Sequence, residues 1–501
     1  MSIYDNYIPM IEDIRQYRRD PNTIAQVFVK ASDLMGDTSG FVNVRNFGAA
    51  GDGVTDDSVA IRRAMSFAAP SGATVIMPPG TYLVSKDPRT PTNNIACALR
   101  VPDRVQILGS GMQSTIIKLA NNQNCTVLSN YVSTDGVEAN AEFISVRNLK
   151  IDGNKANQSS GHGINFTTYP NSSQATNDID FDTHQLFDNI EIYGCKENGF
   201  VMTGRSSAVL NNVFAYKNDG QGIVPAYDTV LVGCVSGWSG LDGFYTEQSQ
   251  VKFFCCTSFF SGQITQSSGA GFTIRIANQG NIMLLGCVAQ DNYASGFNID
   301  TSTRVTLNGC NADSNGRGGV ATYAGYDLWS STYCEILACV ALERKPYDSN
   351  SYQQNALRIR QNSTNNNIQI THSAYNGAFI GTPIKSDSNS IEGNNISFNA
   401  QGADSSQSIA YAASITPDPY AGSTKRITLT GALTVNATTN HHAGSRMTFI
   451  FTQDSTGGRV VTWNAQYKTN WTPTTTSGKI NTIDFRFDGT NWIQVGGVVG
   501  M

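Results

Sequence analysis

Between residues 160 and 380 one short phrase keeps returning: glycine, an apolar residue, any residue, then an apolar or small one. It reads GINF at Gly163, GFVM at Gly199, GIVP at Gly222, GFYT at Gly243, GFTI at Gly271, GFNI at Gly296 and GVAT at Gly319. Weaker copies follow as ALRI at Ala356 and AFIG at Ala378. Successive starts differ by 36, 23, 21, 28, 25, 23, 37 and 22 residues. A second phrase is interleaved, β-rich and ending in cysteine, as in NIEIYGC (to Cys195), TVLVGC (to Cys234), NIMLLGC (to Cys287) and RVTLNGC (to Cys310). Each unit therefore holds at least two short strands of period-2 alternation, separated by Asn/Gly/Ser turns. Such a strand cannot bury its apolar side alone and needs the same strand of the next unit stacked upon it. The pattern specifies an all-β chain, a right-handed parallel β-helix. The leucine-rich alternative fails because its LxxLxLxxN phrase is absent.

This reading disposes of the ten cysteines. No CxxC pair occurs, and the five histidines keep no ligand spacing with them, so neither a disulfide framework nor a zinc site is expected. One cysteine per coil instead makes an internal column of small hydrophobes. No metal or cofactor is called for.

The remaining bulk properties narrow the function. A net charge of −5 argues against a general nucleic-acid binder, which needs a basic patch. No window approaches eighteen consecutive apolar residues, so membrane insertion by a helix is not expected. The N-terminal stretch MSIYDNYIPMIEDIRQYRRD has no apolar core and no small-residue cleavage site, so no signal peptide is read there.

Residues 47–65, FGAAGDGVTDDSVAIRRAM, run from a Gly/Asp loop into an amphipathic helix. A phosphate loop would need GK[ST], and a calcium loop of the EF-hand type its Glu at position twelve; both are missing. A β-helix end exposes unpaired backbone and core unless it is covered. The helix from about Ser58 to Ala69 places Ile61, Ala64, Met65 and Ala68 on one face, and Asp56 or Asp57 can cap it. We read it as the lid on the first coil.

With MPPGTY downstream, this stretch resembles the start of the pectate-lyase-like β-helix superfamily as found in bacteriophage tailspikes and polysaccharide depolymerases. The segment TFIFTQDSTGGRVVTWNAQYKTNW, with INTIDFRFDGTNWIQVGG after it, is similar to tailspike C-terminal β-domains. The cap motif is specific for fold and weak for reaction, since lyases, hydrolases, epimerases and adhesins share it. The resemblance implies a homotrimer, location on the virion as part of a phage tail or baseplate, and recognition or cleavage of a bacterial surface polysaccharide. Three segments are expected: 1–40 as a neck or virion-docking piece, 41–404 as the β-helix, and 405–501 as an antiparallel, sandwich-like β-domain for trimerisation or glycan binding. Trp463, Trp471 and Trp492 are expected in the core or a subunit contact of that last domain.

Strand alternation then picks out the exterior side chains. After Gly243, Phe244 and Thr246 point inward while Tyr245 and Glu247 point outward. Over the later coils one exterior column reads Tyr245, Thr273, Asn298, Ala321, Arg358, and the other Glu247, Arg275, Asp300, Tyr323, Arg360. The spacing from each cysteine to the next repeat start is 9, 15, 9, 9 and 17 from Cys234 onward. Length variation thus gathers beside one strand face, which is how solenoids shape a binding side. Those loops carry Trp238, Asp242 and further aromatic and acidic residues that suit a sugar groove.

Glycoside hydrolysis needs a carboxylic acid and a carboxylate. Glu247 and Asp300 lie two coils apart, about 9–10 Å between backbones at roughly 4.8 Å per strand, near the upper end of the inverting range. Arg275 falls between them, and Asp242 is a substitute for either role. Tyr245, Asn298, Tyr323, Arg358, Arg360 and Trp238 are the expected substrate-binding residues. Two rivals stand beside hydrolysis. In a lyase acting on a uronate, Arg275, Arg358 or Arg360 would neutralise the sugar carboxylate, and Tyr323 or an arginine would take the proton. In an adhesin, the same face would grip a glycan without cutting it.

Overall fold

The computed structural model describes residues 40–501 except 90–94, 131–142, 169–183, 205–206, 263–268, 277–279, 319–322, 344–352, 354, 375–383, 387–393, 401–405, 420–422, 439–440 and 442–443. The expected neck lies outside the described residues but for Gly40. From Phe41 to Ala400 the chain winds into a parallel β-helix. One wall is an 11-stranded sheet with a single strand per coil; a 20-stranded sheet supplies the other walls, often with two strands per coil around a corner. All the pairings of both sheets are parallel, as between Phe244–Thr246 and Phe272–Arg275, and between that strand and Phe297–Asp300.

The inside of each coil repeats its neighbour. Phe244, Phe272, Phe297 and Tyr326 stack nearly parallel, with centroids 4.6, 5.0 and 5.2 Å apart. Cys195, Cys234, Cys256, Cys287, Cys310 and Cys339 are fully buried and form the expected column. Cys234, Cys256, Cys287, Cys310 and Cys339 each point Sγ at a carbonyl of the preceding coil.

At the N-terminal end the helix Ser58–Ala68 covers the first coil with Ile61, Ala64, Met65 and Ala68, all at most 1% exposed. The two acidic residues before it divide the work. Asp56 accepts from the Ser58 amide at 3.0 Å, whereas the buried Asp57 turns back to accept from the Ala50 and Gly51 amides, at 2.6 and 3.0 Å. The Gly/Asp loop is thus folded onto a carboxylate of its own, which is what a lid requires.

The C-terminal segment has its own core, in which Trp492 is fully buried, Trp471 9% exposed, and Trp463 packed against them. Its pairing corrects the expectation of a wholly antiparallel domain. Ser406–Ser408, Thr424–Leu429 and Arg446–Gln453 pair in parallel, as do Ser414–Ile415, Leu433–Val435 and Val461–Trp463 in a second sheet. The chain alternates between the two sheets, so each return runs in the same direction. Reversal comes only with Ile480–Phe487, which pairs antiparallel with Arg446–Gln453 and with Trp492–Val498.

Candidate active site

The outer face of the 11-stranded sheet carries a cleft of about 480 Å³. It is lined by Asp242, Tyr245, Arg275, Asn298, Asp300, Tyr323, Arg358 and Arg360 among the residues expected from sequence, and by Thr273, Ser295 and Asp327. Phe244 and Thr246 are buried, Tyr245 is half-buried and Glu247 exposed, so the alternation sets this face as expected.

One coil is misassigned by the repeat phrase. The GVAT copy at Gly319 lies outside the described residues. The strand that stacks on Phe297–Asp300 is Ala324–Trp329, which pairs Asn298 with Asp327 and Asp300 with Trp329. The repeat start in this coil is therefore GYDL at Gly325, and its carbonyl lies against Gly296 as the other repeat glycines do in their turn. Tyr323 is no column member; it reaches the cleft from the segment before the strand, edge-on to Tyr293 with centroids 6.4 Å apart. Asp327 and Trp329 take the two exterior places. Arg358 and Arg360 keep the places expected for them, beside Asp327 and Trp329. The AFIG copy also lies outside the described residues, and Ile384–Ser386 forms the strand of that coil.

Asp327, missed by this slip, organises the far end of the cleft. It is 3% exposed and accepts a bidentate pair of bonds from Arg360, Nε and Nη2 both at 2.9 Å. Ser295 Oγ adds a third at 3.3 Å, and Arg358 Nη1 lies 3.9 Å away. Burial lifts the Asp327 carboxyl, and the two guanidiniums oppose that lift. Arg360 also stands over the Trp329 ring at 4.3 Å.

Asp242 organises the near end. It is half-buried and accepts from the Ala270 amide at 2.8 Å. Burial pushes its carboxyl up to about 6, against hydrogen bonds from Ala270, Thr273 and Gln221. Asp242, Ala270 and Ser295 each precede the glycine of their coil, and Gly243 donates to Ala270 and Gly271 to Ser295. Asp327 lies three coils beyond Asp242, but its carboxyl reaches back to Ser295 while that of Asp242 reaches forward to Ala270, so the two groups face one floor that holds Thr273 and Asn298.

Further along the strands, Arg275 Nε lies 3.4 Å from Asp300, and Asp300 also accepts from Thr301 Oγ1 at 2.8 Å. Glu247 stands at the rim, two rungs from Asp300, and takes a short hydrogen bond from the Tyr245 hydroxyl. Burial, then Glu247, pushes Tyr245 up to about 12. Tyr323 is raised as well, by burial and by Tyr293. Trp238 does not line the cleft; it lies around the corner, in a cluster with Tyr216, Phe259 and Phe260. Among the described residues no group of three His, Cys, Asp or Glu side chains is placed to hold a metal ion.

Residues 41–232 match the family model described as "Rhamnogalacturonase A/epimerase, pectate lyase-like". Residues 415–492 match one described as "Putative phage tail fibre C-terminal domain". Mannuronan C5-epimerase AlgE1 of Azotobacter vinelandii is 31% identical over 229 residues, which are 41% of this chain and 16% of that protein. The chain therefore spans about a sixth of that relative's length. Two solved structures share the fold. One is the A-module of the Azotobacter vinelandii mannuronan C-5 epimerase AlgE6, at a TM-score of 0.56 and 21% identity over 72% of this chain and 96% of that one. The other is full-length tailspike protein 2 of an Escherichia coli O157:H7 bacteriophage, at 0.55 and 15% over 69% and 46%. Residues 41–232 thus carry a pectate-lyase-like domain, and the coils share the parallel β-helix fold of an epimerase module and of a phage tailspike.

Proposed function

We propose that this protein is a phage tailspike that binds a bacterial surface polysaccharide, capsule or O-antigen, along the cleft and cleaves it by glycosidic hydrolysis. The observation that carries the reading is the contrast between two carboxyl groups facing one floor. Burial raises both, Asp242 to about 6, but only Asp327 is held by guanidiniums, those of Arg360 and Arg358, which oppose the lift. Hydrolysis needs an acid that still carries its proton and a carboxylate to act as base, and a carboxyl raised to about 6 on one side of a shared floor, facing one held between guanidiniums on the other, supplies such a pair. Asp242 protonates the leaving glycosidic oxygen. Asp327 activates the water on the opposite face of the sugar. Arg275 with Asp300, and Arg358, bind and orient the chain on either side, while Tyr245, Asn298 and Tyr323 supply hydroxyl, amide and ring contacts. The pair Glu247 and Asp300, two rungs apart, is the alternative within this reading.

A second reading, β-elimination or C5-epimerisation of a uronate, draws on the three arginines of the cleft and on the epimerase relatives. The tyrosines count against its usual proton acceptor: both Tyr245 and Tyr323 are raised, so neither is a ready tyrosinate. The N-terminal segment is assigned to attachment on the phage tail, and the C-terminal domain to holding a homotrimer.

The test is incubation of the protein with bacterial capsular and lipopolysaccharide glycans and with alginate, following reducing ends and unsaturated-uronate absorbance together. New reducing ends without the absorbance support hydrolysis. Reducing ends with it mean elimination. Binding without either leaves an adhesin.

A further inference from the structure

The corner that Trp238 occupies raises a question of residue type. At one corner of the coils the left-handed backbone position is filled by Asn148, Asn189 and Asn212, whose side chains bond to one another in a ladder at 2.9 and 3.0 Å. Asparagine is what such a position ordinarily takes, because bulky side chains are disfavoured there. The corner before the cleft strands has the same backbone, with φ of 54° at Lys217, 52° at Trp238, 53° at Phe260, 52° at Asp291 and 53° at Ser314. Yet two consecutive coils place Trp and Phe in it. The backbone does not call for them, so their worth must lie in what they present outward.

They present a continuous aromatic surface. Trp238 stacks on Phe260 at 5.5 Å and 13°, with Phe259 against its edge at 4.9 Å and Tyr216 at 6.4 Å. Gly237 leaves the gap that lets Tyr216 and Phe259 close on one another. Trp238 is 38% exposed. The surface continues into the cleft: Arg317 stands over Phe260 at 5.2 Å and bonds to Asp291 at 2.9 Å, Gly318 packs against the Tyr293 ring, and Tyr293 meets Tyr323, which lines the cleft.

We infer that this corner is a second glycan site, a stacking platform for sugar units of the chain that leaves the cleft past Tyr323, so that the protein grips a long polysaccharide across two walls of the β-helix. The inference rests on the glycan reading of the cleft. Flat rings with polar rims suit the apolar faces of pyranoses, and the Arg317–Asp291 pair supplies hydrogen bonds at the joint. The ligand class is an extended polysaccharide of several sugar units beyond those the cleft holds.

The experiment uses the full chain with Asp242→Asn, so that bound glycan persists. Affinity is measured by electrophoresis in gels cast with a panel of capsular and O-antigen polysaccharides, and by titration with size-fractionated fragments of any that is retained. The expected result is an affinity that rises with fragment length, and a second substitution, Trp238→Asn, that removes the rise and weakens the longest fragment at least tenfold. Asparagine is chosen because it accepts the backbone of that corner; Phe260→Asn repeats the test at the next coil, and thermal melts confirm folding. Unchanged length dependence in both variants overturns the platform while leaving the cleft intact. A fall in sedimenting mass with either variant overturns it too, because the corner is then a contact between copies of the chain. Failure of Asp242→Asn protein to retain any glycan removes the cleft reading and the platform with it.

Discussion

The two sides of the 11-stranded sheet share one backbone and one register, yet they differ in how freely their residues vary. Inward, Phe244, Phe272, Phe297 and Tyr326 repeat a ring in four consecutive coils. One residue further along each strand, the same coils present Tyr245, Thr273, Asn298 and Asp327 on the outer face. The inner column repeats because stacked coils have one shape of interior to fill, and a gap there costs contacts on both sides. The outer column lines the cleft and not a packed interior, so nothing obliges one coil to copy the last. In a solenoid, repetition therefore marks stability and its breakdown marks chemistry.

The sharpest way to break that contrast is to change one residue on each side. Asp242→Asn keeps shape and removes the proton, and is expected to cut product formation by about 10²–10⁴-fold, as loss of a general acid does. Its melting temperature should not fall below that of the wild type, since a half-buried group loses a charge it was reluctant to carry. Phe272→Ala is the converse: about 3–5 kcal/mol of stability is lost to the cavity it leaves, read by chemical denaturation. Cleavage per folded molecule should persist below the transition. If Asp242→Asn cleaves normally, the outer face is not the chemistry, and the contrast fails.

The next effect is on pH. The Asp242 carboxyl is raised to about 6 when folded, against about 3.9 for an unperturbed aspartate. Between those values the folded protein binds the extra proton, so stability increases as pH falls from about 6 toward 4 and is lost as pH rises through 6. The amplitude is at most about 3 kcal/mol, and Asp242→Asn removes it from the difference between denaturation curves at pH 4 and pH 7. Catalysis follows the same proton: as the acid, Asp242 works protonated, so kcat/KM should decline above about pH 6. A wild-type profile flat from pH 5 to 8 would assign the acid role elsewhere.

How much of this was legible before the structure follows from the same contrast. The coils, the cysteine column and the cap helix were readable because repetition and period-2 alternation are imposed by packing, which acts on every residue of an inner column. The exterior places of Tyr245, Arg275, Asn298, Asp300, Arg358 and Arg360 followed from that alternation. Asp327 did not, because GVAT at Gly319 and GYDL at Gly325 both fit the phrase, and a shift of six residues preserves the in–out parity. The inner ring column held the missing signal: Tyr326 continues Phe244, Phe272 and Phe297, whereas Val320 does not. Trp238 was placed in the cleft because loop length says which wall a loop borders, not on which side of a corner its side chain emerges. The parallel pairing of the C-terminal domain was hidden for a related reason: alternation is identical in parallel and antiparallel strands, and only the order in which the chain visits its two sheets sets direction.

The smallest expected effect sharpens the comparison most, because it asks which outer residues share the chemistry. Glu247 and Asp300 keep the two-rung spacing that hydrolysis tolerates, but Glu247 is exposed at the rim and engaged by the Tyr245 hydroxyl, and Asp300 is matched to Arg275. A group in water, already bonded to a neighbour, gains little as a base or nucleophile, since competing solvent is not excluded. Glu247→Gln is therefore expected to lower kcat no more than about threefold, consistent with a rim group that only helps orient substrate. Asp300→Asn should act mainly on KM, through the freed Arg275. A drop of a hundredfold or more in kcat for both variants, with Asp242→Asn active, would move the reaction one column along the same strands and return the acid–base pair to Glu247 and Asp300. Either result keeps the chemistry on the non-repeating face; only the column changes.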